Sequence, residues 1–122
     1  MSKKILVVDD EEVISAYLQK KLEKLGYCTI VANDGEKALN AAINEKPDIV
    51  LMDVKLPRMT GTDVCRLLKT DPKTANIPVI LLSAKAQPAE IQAGLDAGAD
   101  KYLCKPASFP EILETIRSFE SA

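Results

Sequence analysis

Five short apolar runs divide the chain at nearly regular intervals, and this alternation constrains the fold more than any other feature. The runs are Lys4 to Val8, Cys28 to Val31, Asp48 to Met52, Pro78 to Leu82 and Asp100 to Cys104. Such runs, rich in Val, Ile and Leu and bounded by turn residues, read as strands buried on both faces. Between and after them, apolar residues recur at helical spacing. Ile14, Leu18, Leu22 and Leu25 mark a first helix over Glu11–Leu25, and Ala38, Leu39, Ala42 and Ile43 a second that ends near Glu45. Val64, Leu67 and Leu68 face inward on a third, Ile91 and Leu95 on a fourth, and Ile112, Leu113, Ile116 and Phe119 on a fifth. A strand followed by a helix, five times over, requires crossovers between parallel strands, and these are right-handed. The predicted fold is an α/β, doubly wound five-stranded parallel sheet with helices on both faces.

Cap and stop residues support these boundaries. Gly26 closes the first helix. Asn33-Asp34-Gly35 is a turn and cap for the second. Thr60 and Asp63 form a capping box for the third, with Asp in place of the preferred Glu, and Ser108 and Glu111 form one for the fifth. Asp71-Pro72 stops the third helix, and residues 71–77 form a polar loop. Pro88 suits the first turn of the fourth, which Gly98 ends. With Gly94 in its interior and few apolar anchors, that fourth helix is expected to be the weakest.

A chain of 122 residues fits one domain spanning 1–122, with no output domain, and should bury roughly two thirds of its unfolded surface. Hydrophobic residues make up 47% and aromatics 4%, so the core is aliphatic. A net charge of −2, with scattered Lys and Arg, argues against direct nucleic-acid binding and against a membrane-surface role. No apolar run approaches the ~18 residues of a membrane span. The start, Met1-Ser2-Lys3-Lys4, leads into a run too short for a signal-peptide core and lacks a small-residue cleavage site. Cys28, Cys65 and Cys104 are odd in number and widely spaced, which predicts buried free thiols in a reducing cytoplasm. Histidine is absent, so Ser-His-Asp and Cys-His catalysis and imidazole metal sites are excluded.

In an open α/β sheet, ligands bind outside the carboxyl ends of the strands. There the first strand ends in Asp9 and Asp10, the third in Asp53, the fourth in Ser83 and the fifth in Lys105. Each has an ordinary alternative: a helix cap for Asp9 or Asp10, a turn cap for Asp53, a loop cap for Ser83, a surface position for Lys105. Five compatible groups at the ends of four strands make coincidence a poor account. Three crowded carboxylates repel unless a cation intervenes, and oxygen ligands favour a hard ion such as Mg²⁺. Lys105 and Ser83 suit phosphoryl oxygens. Asp53, nearest the sheet centre, is the candidate nucleophile for an aspartyl-phosphate.

The chain resembles response-regulator receiver domains, the CheY-like family of two-component phosphorelay signalling. The likeness runs from Lys4 to about Phe119. Its motifs are Ile5-Leu6-Val7-Val8-Asp9-Asp10-Glu11, Ile49-Val50-Leu51-Met52-Asp53 with Leu56-Pro57 and Gly61, Pro78-Val79-Ile80-Leu81-Leu82-Ser83-Ala84, Ala97-Gly98-Ala99-Asp100, and Lys105-Pro106. The resemblance implies strand order 2-1-3-4-5 and a cis Lys105–Pro106 bond. It implies Asp53 as phospho-acceptor, charged by a histidine kinase or histidine phosphotransfer protein. Asp10, Asp53 and the backbone carbonyl of Lys55 are then ligands of Mg²⁺ or Mn²⁺, and Asp9 acts through water. Ser83 becomes the switch hydroxyl, Lys105 its lysine partner, and Tyr102 the aromatic that turns inward on activation. A downstream protein then reads the surface of the fourth helix, fifth strand and fifth helix, and slow self-dephosphorylation ends the signal. The unphosphorylated domain is expected to be a monomer.

Lys55 and Lys85 place basic side chains at variable positions beside the site, and Ala107 stands where an aromatic is frequent. A haloacid-dehalogenase-type phosphohydrolase would want a second Asp where Lys55 stands, and a cap domain. A flavodoxin-like cofactor binder would want a glycine- and hydroxyl-rich loop where Asp9-Asp10-Glu11 stands. A receiver-shaped scaffold that is never phosphorylated is the remaining alternative.

Overall fold

The computed structural model describes residues 3–85 and 87–120. The outermost positions of the expected 1–122 domain, and the Met1-Ser2 start, lie outside the described residues. The elements are β1 (Lys4–Val8), α1 (Glu12–Lys24), β2 (Cys28–Ala32), α2 (Gly35–Glu45), β3 (Ile49–Asp53), α3 (Gly61–Thr70), β4 (Val79–Ser83), α4 (Pro88–Asp96), β5 (Lys101–Cys104) and α5 (Phe109–Ser118). All strand pairs are parallel, in the order β2-β1-β3-β4-β5. This is the predicted doubly wound α/β sheet.

Strand side chains alternate between faces, and this alternation divides the core in two. Leu6, Val8, Val50, Met52, Val79 and Leu81 point to one side, against Ala38 and Ala42 of α2 and Val64, Cys65 and Leu68 of α3. Ile5, Val7, Ile49, Leu51, Ile80 and Leu82 point to the other, against Leu18 and Leu22 of α1 and Ile112 and Ile116 of α5. Because both faces are covered, β1, β3 and β4 need continuous apolar sequence.

Several expected core positions lie outside. Leu25, Leu67 and Leu95 are 48%, 47% and 41% exposed. Leu25 caps α1 rather than extending its buried face, and Leu67 gives the inward position to Cys65. On α4 the only buried residue is Gly94. Cys65 is buried, but Cys28 and Cys104 are exposed, because β2 and β5 are the sheet's edges and leave one side uncovered.

The Thr60–Asp63 capping box forms in both directions despite its Asp. At α5 only the bond from Glu111 N–H to Ser108 Oγ is present among the described residues. Gly26 takes φ +96°, in the left-handed region. Asp100 precedes β5 instead of opening it. Its Oδ2 accepts both the Val79 N–H and the Lys69 ammonium, each at 2.8 Å. The Lys105–Pro106 bond is cis. No helix among the described residues is long and apolar enough to cross a membrane.

Candidate active site at the carboxyl edge of the sheet

Parallel strands deliver their final residues to one edge. Asp53 is the last residue of β3 and is 6% exposed; Asp9, just past β1, is 3% exposed. Asp10 is exposed. Ser83 is the last residue of β4 and is buried. Its carbonyl accepts the Lys105 N–H at 2.8 Å, which brings the start of the β5–α5 loop beside β4. From there Lys105 Nζ donates to Asp53 Oδ2 at 2.9 Å and lies 4.0 Å from Asp9 Oδ2. The other Asp53 oxygen, Oδ1, accepts the Lys55 N–H at 3.1 Å. Asp9 Oδ1 accepts the Glu11 N–H at 2.9 Å. These contacts orient both buried carboxylates and join Asp9, Asp53, Ser83 and Lys105 in one network.

The electrostatics follow from the burial. Desolvation raises the Asp9 pKa above the usual carboxylate range. The Glu11 N–H and the Lys105 charge oppose that shift, and the Asp53 charge adds to it. Partial burial acts to lower the Lys105 pKa, but the Asp53 hydrogen bond and the charges of Asp53, Asp9 and Glu11 outweigh it and leave it raised. One ammonium thus serves two buried carboxylates.

Carboxylate oxygens of Asp9, Asp10, Glu11 and Asp53 lie within 4.8 Å of one another. An all-oxygen set beside a carboxyl whose ionisation burial opposes fits a hard dication such as Mg²⁺ or Mn²⁺. Glu11 is the member that the sequence reading left without a role. Its signal was its place in the Asp9-Asp10-Glu11 run. A cavity of about 670 Å³ opens above this edge, lined by Glu11, Asp53, Lys55, Ser83, Lys85 and Lys105 among others. It leaves room for a phosphoryl donor, and it puts Lys55 and Lys85 at its wall.

Ser83 and Tyr102 meet through the β4–α4 loop. Ser83 Oγ accepts the Lys85 N–H at 3.0 Å, and the Tyr102 hydroxyl donates to the Lys85 carbonyl at 2.9 Å. Tyr102 is half-buried and packs against the α2–α3 side of the core.

The loop after Asp53 is held from two sides. Gly61 packs on the Asp53 backbone so closely that a Cβ there would collide with the Asp53 carbonyl oxygen. The Gly61 N–H donates to the Val54 carbonyl at 2.7 Å. Across the loop, Arg58 Nη2 donates to Asp34 Oδ2 at 2.9 Å, while Asp34 Oδ1 caps α2 through the Lys37 N–H at 2.8 Å. Arg58 takes φ +69°, a conformation rare outside glycine. Sequence reasoning found Asp34 as a cap but not its arginine, 24 residues away.

The family described as response regulator receiver domain matches residues 5–117. The chain belongs to the response-regulator receiver family. The receiver domain is 44% identical over 118 residues to the alkaline phosphatase synthesis transcriptional regulatory protein PhoP of Bacillus subtilis, covering 97% of this chain and 48% of PhoP. It is 40% identical over 118 residues to the response regulator MprA of Mycobacterium bovis, with 97% and 50% covered. It therefore spans about half the length of the curated relatives it matches. The structure of the chemotaxis response regulator CheY4 of Vibrio cholerae superposes with a TM-score of 0.91 at 28% identity, covering 98% of this receiver domain and 99% of CheY4. Membership in this family displaces the haloacid-dehalogenase and flavodoxin-like readings. The receiver domain is a signalling domain of the two-component class.

Proposed function

We propose that this receiver domain is a phosphorylation-activated switch whose phospho-acceptor is Asp53. The observation that carries the reading is the buried Asp53 carboxylate, bonded to Lys105 on one oxygen and flanked by Asp9, Asp10 and Glu11. An Asp53 oxygen attacks the phosphorus of a phosphohistidine on a histidine kinase or histidine phosphotransfer protein. The N–P bond breaks, and its electron pair stays on the imidazole nitrogen, which leaves neutral once protonated. Asp10, Asp53 and the Lys55 carbonyl, with Asp9 through water, would hold a Mg²⁺ or Mn²⁺ that offsets charge on the phosphoryl oxygens.

Lys105 follows the new negative charge, since it already serves the oxygen beside it. The Ser83 hydroxyl donates its own proton to a phosphoryl oxygen. The phosphoryl group holds Tyr102 in the inward position that its ring already takes beside Gly94, and the α4–β5–α5 surface then presents a different face to a downstream protein. Slow attack of water on the phosphorus returns the carboxylate. The chain acts in the cytoplasm, as a monomer before phosphorylation; a tight dimer in sedimentation without phosphodonor would overturn that last point.

The test is intact mass after incubation with Mg²⁺ and acetyl phosphate. One added phosphoryl group, absent in Asp53→Asn and in EDTA, is the expected result. No adduct together with no binding of beryllofluoride, a stable phosphoryl mimic, would leave a scaffold that is never phosphorylated.

A further inference from the structure

Gly94 is the single buried residue of α4. A glycine inside a helix weakens it relative to alanine, so something other than helix formation accounts for the residue at this position. The surroundings supply the reason. A Cβ on Gly94 would lie 2.8 Å from Cδ2 and 2.9 Å from Cε2 of Tyr102, and 3.2 Å from Cδ1 of Leu81. The two contacts with the ring are shorter than van der Waals packing allows. The ring has little freedom to give way, because its hydroxyl is bonded to the Lys85 carbonyl at 2.9 Å. To make room it must leave its rotamer. Lys85 is held through both of its backbone polar groups: its N–H donates to Ser83 Oγ and its carbonyl accepts from the Tyr102 hydroxyl. Ser83, Lys85, Tyr102 and Gly94 therefore form one continuous line from the Asp53 edge of the sheet to α4.

We propose that Gly94 is a positioning residue for the switch: its missing side chain is the seat in which Tyr102 lies inward. The seat rests on sterics alone. Its consequence for signalling rests on the reading above, in which Tyr102 lies inward when Asp53 carries a phosphoryl group. Linkage is reciprocal, so a phosphoryl group that favours the seated ring is itself favoured by the seat. Filling the seat therefore weakens phosphoryl binding at Asp53, across the β4–α4 loop.

A double-mutant cycle on the full chain tests this, with wild type, Gly94→Ala, Tyr102→Ala and the double variant compared by melting temperature and by calorimetric titration with beryllofluoride and Mg²⁺. At an unobstructed helix position Gly→Ala stabilises, so the sign of the change is diagnostic. Gly94→Ala is expected to lower the melting temperature when Tyr102 is present and not when it is absent. Beryllofluoride binding should weaken at least about fivefold in Gly94→Ala, with no further loss on adding Gly94→Ala to Tyr102→Ala. In 3-fluorotyrosine-labelled protein, the Tyr102 resonance, assigned with Tyr102→Phe, should move toward its solvated position. The same change in melting temperature in both backgrounds overturns the seat, and unchanged beryllofluoride affinity overturns its link to the switch. If Gly94→Ala does not fold, a folded double variant supports the seat and an unfolded one overturns it. Failure of the wild type to bind beryllofluoride overturns the switch reading and the link with it, while the melting cycle still decides the seat.

Discussion

At Asp9 the site works against the fold. Its pKa is raised first by desolvation, so the folded state holds the Asp9 proton more tightly than the unfolded chain does. The associated stability is complete below the unfolded carboxyl value of about 3.9 and is lost as pH rises through the higher folded value. At neutral pH, without metal, the ionised Asp9 destabilises the domain. Asp9→Asn keeps an acceptor for the Glu11 N–H, so it should raise the melting temperature in EDTA at pH 7, and the gain should vanish near pH 3. A loss of stability at pH 7 would contradict this. The cysteines are a second case. Burial pushes the Cys65 thiol up to about 11, whereas Cys28 and Cys104 are exposed. Native protein should take up two iodoacetamide adducts quickly by intact mass, and the third only on unfolding. The Asp9, Asp53, Ser83 and Lys105 set was legible because each residue follows directly on an apolar run. The exposure of Leu67, Leu95, Cys28 and Cys104 was not, because it depends on which strands become edges and how each helix is rotated.

Among the elements, the segment from Asp53 to Gly61 governs the site most directly. Gly61 opens α3 where any Cβ would meet the Asp53 and Val54 backbone. Backbone cannot retreat as a flexible side chain can, so Gly61→Ala must displace either α3 or the end of β3. Overpacking of this kind costs about 1–3 kcal/mol, and we expect about 2 kcal/mol from denaturant unfolding, with weaker beryllofluoride binding because Asp53 itself moves. A variant of wild-type stability would show that the loop yields. On the far side, the Arg58–Asp34 pair ties the same loop to α2. The arginine side chain is 74% exposed, so its charge contributes little; what it supplies is position. The boundaries of both flanking elements were readable from Thr60, Asp63 and Asp34. The tie between them was not, because no local pattern marks a residue that adopts φ +69°. The weakness expected of α4 has the same origin. Gly94 reads as a flaw along the helix and as a seat across it.

For the whole molecule, metal and stability are linked. A cation that binds only the folded state stabilises it by RT ln(1 + [L]/Kd), about 1.4 kcal/mol at ten times Kd. For a chain of 122 residues this corresponds to a rise of roughly 3–6 °C in melting temperature. Mg²⁺ should produce such a rise in wild type and a smaller one in Asp9→Asn; no rise in wild type at any Mg²⁺ concentration would remove the metal from the site. The sequence by itself determined the α/β alternation, the parallel crossovers and the identity of the strand-end groups. These follow from local periodicity and from the rule that parallel strands end together. Tertiary structure alone decided which carboxylates share Lys105, that Glu11 joins the acidic cluster, that β2 and β5 leave their cysteines exposed, and that Tyr102 lies over Gly94. The reason is physical: periodicity encodes which face of an element is apolar, whereas these contacts join residues 8 to 96 positions apart, whose distances exist only once the sheet has brought its edges together.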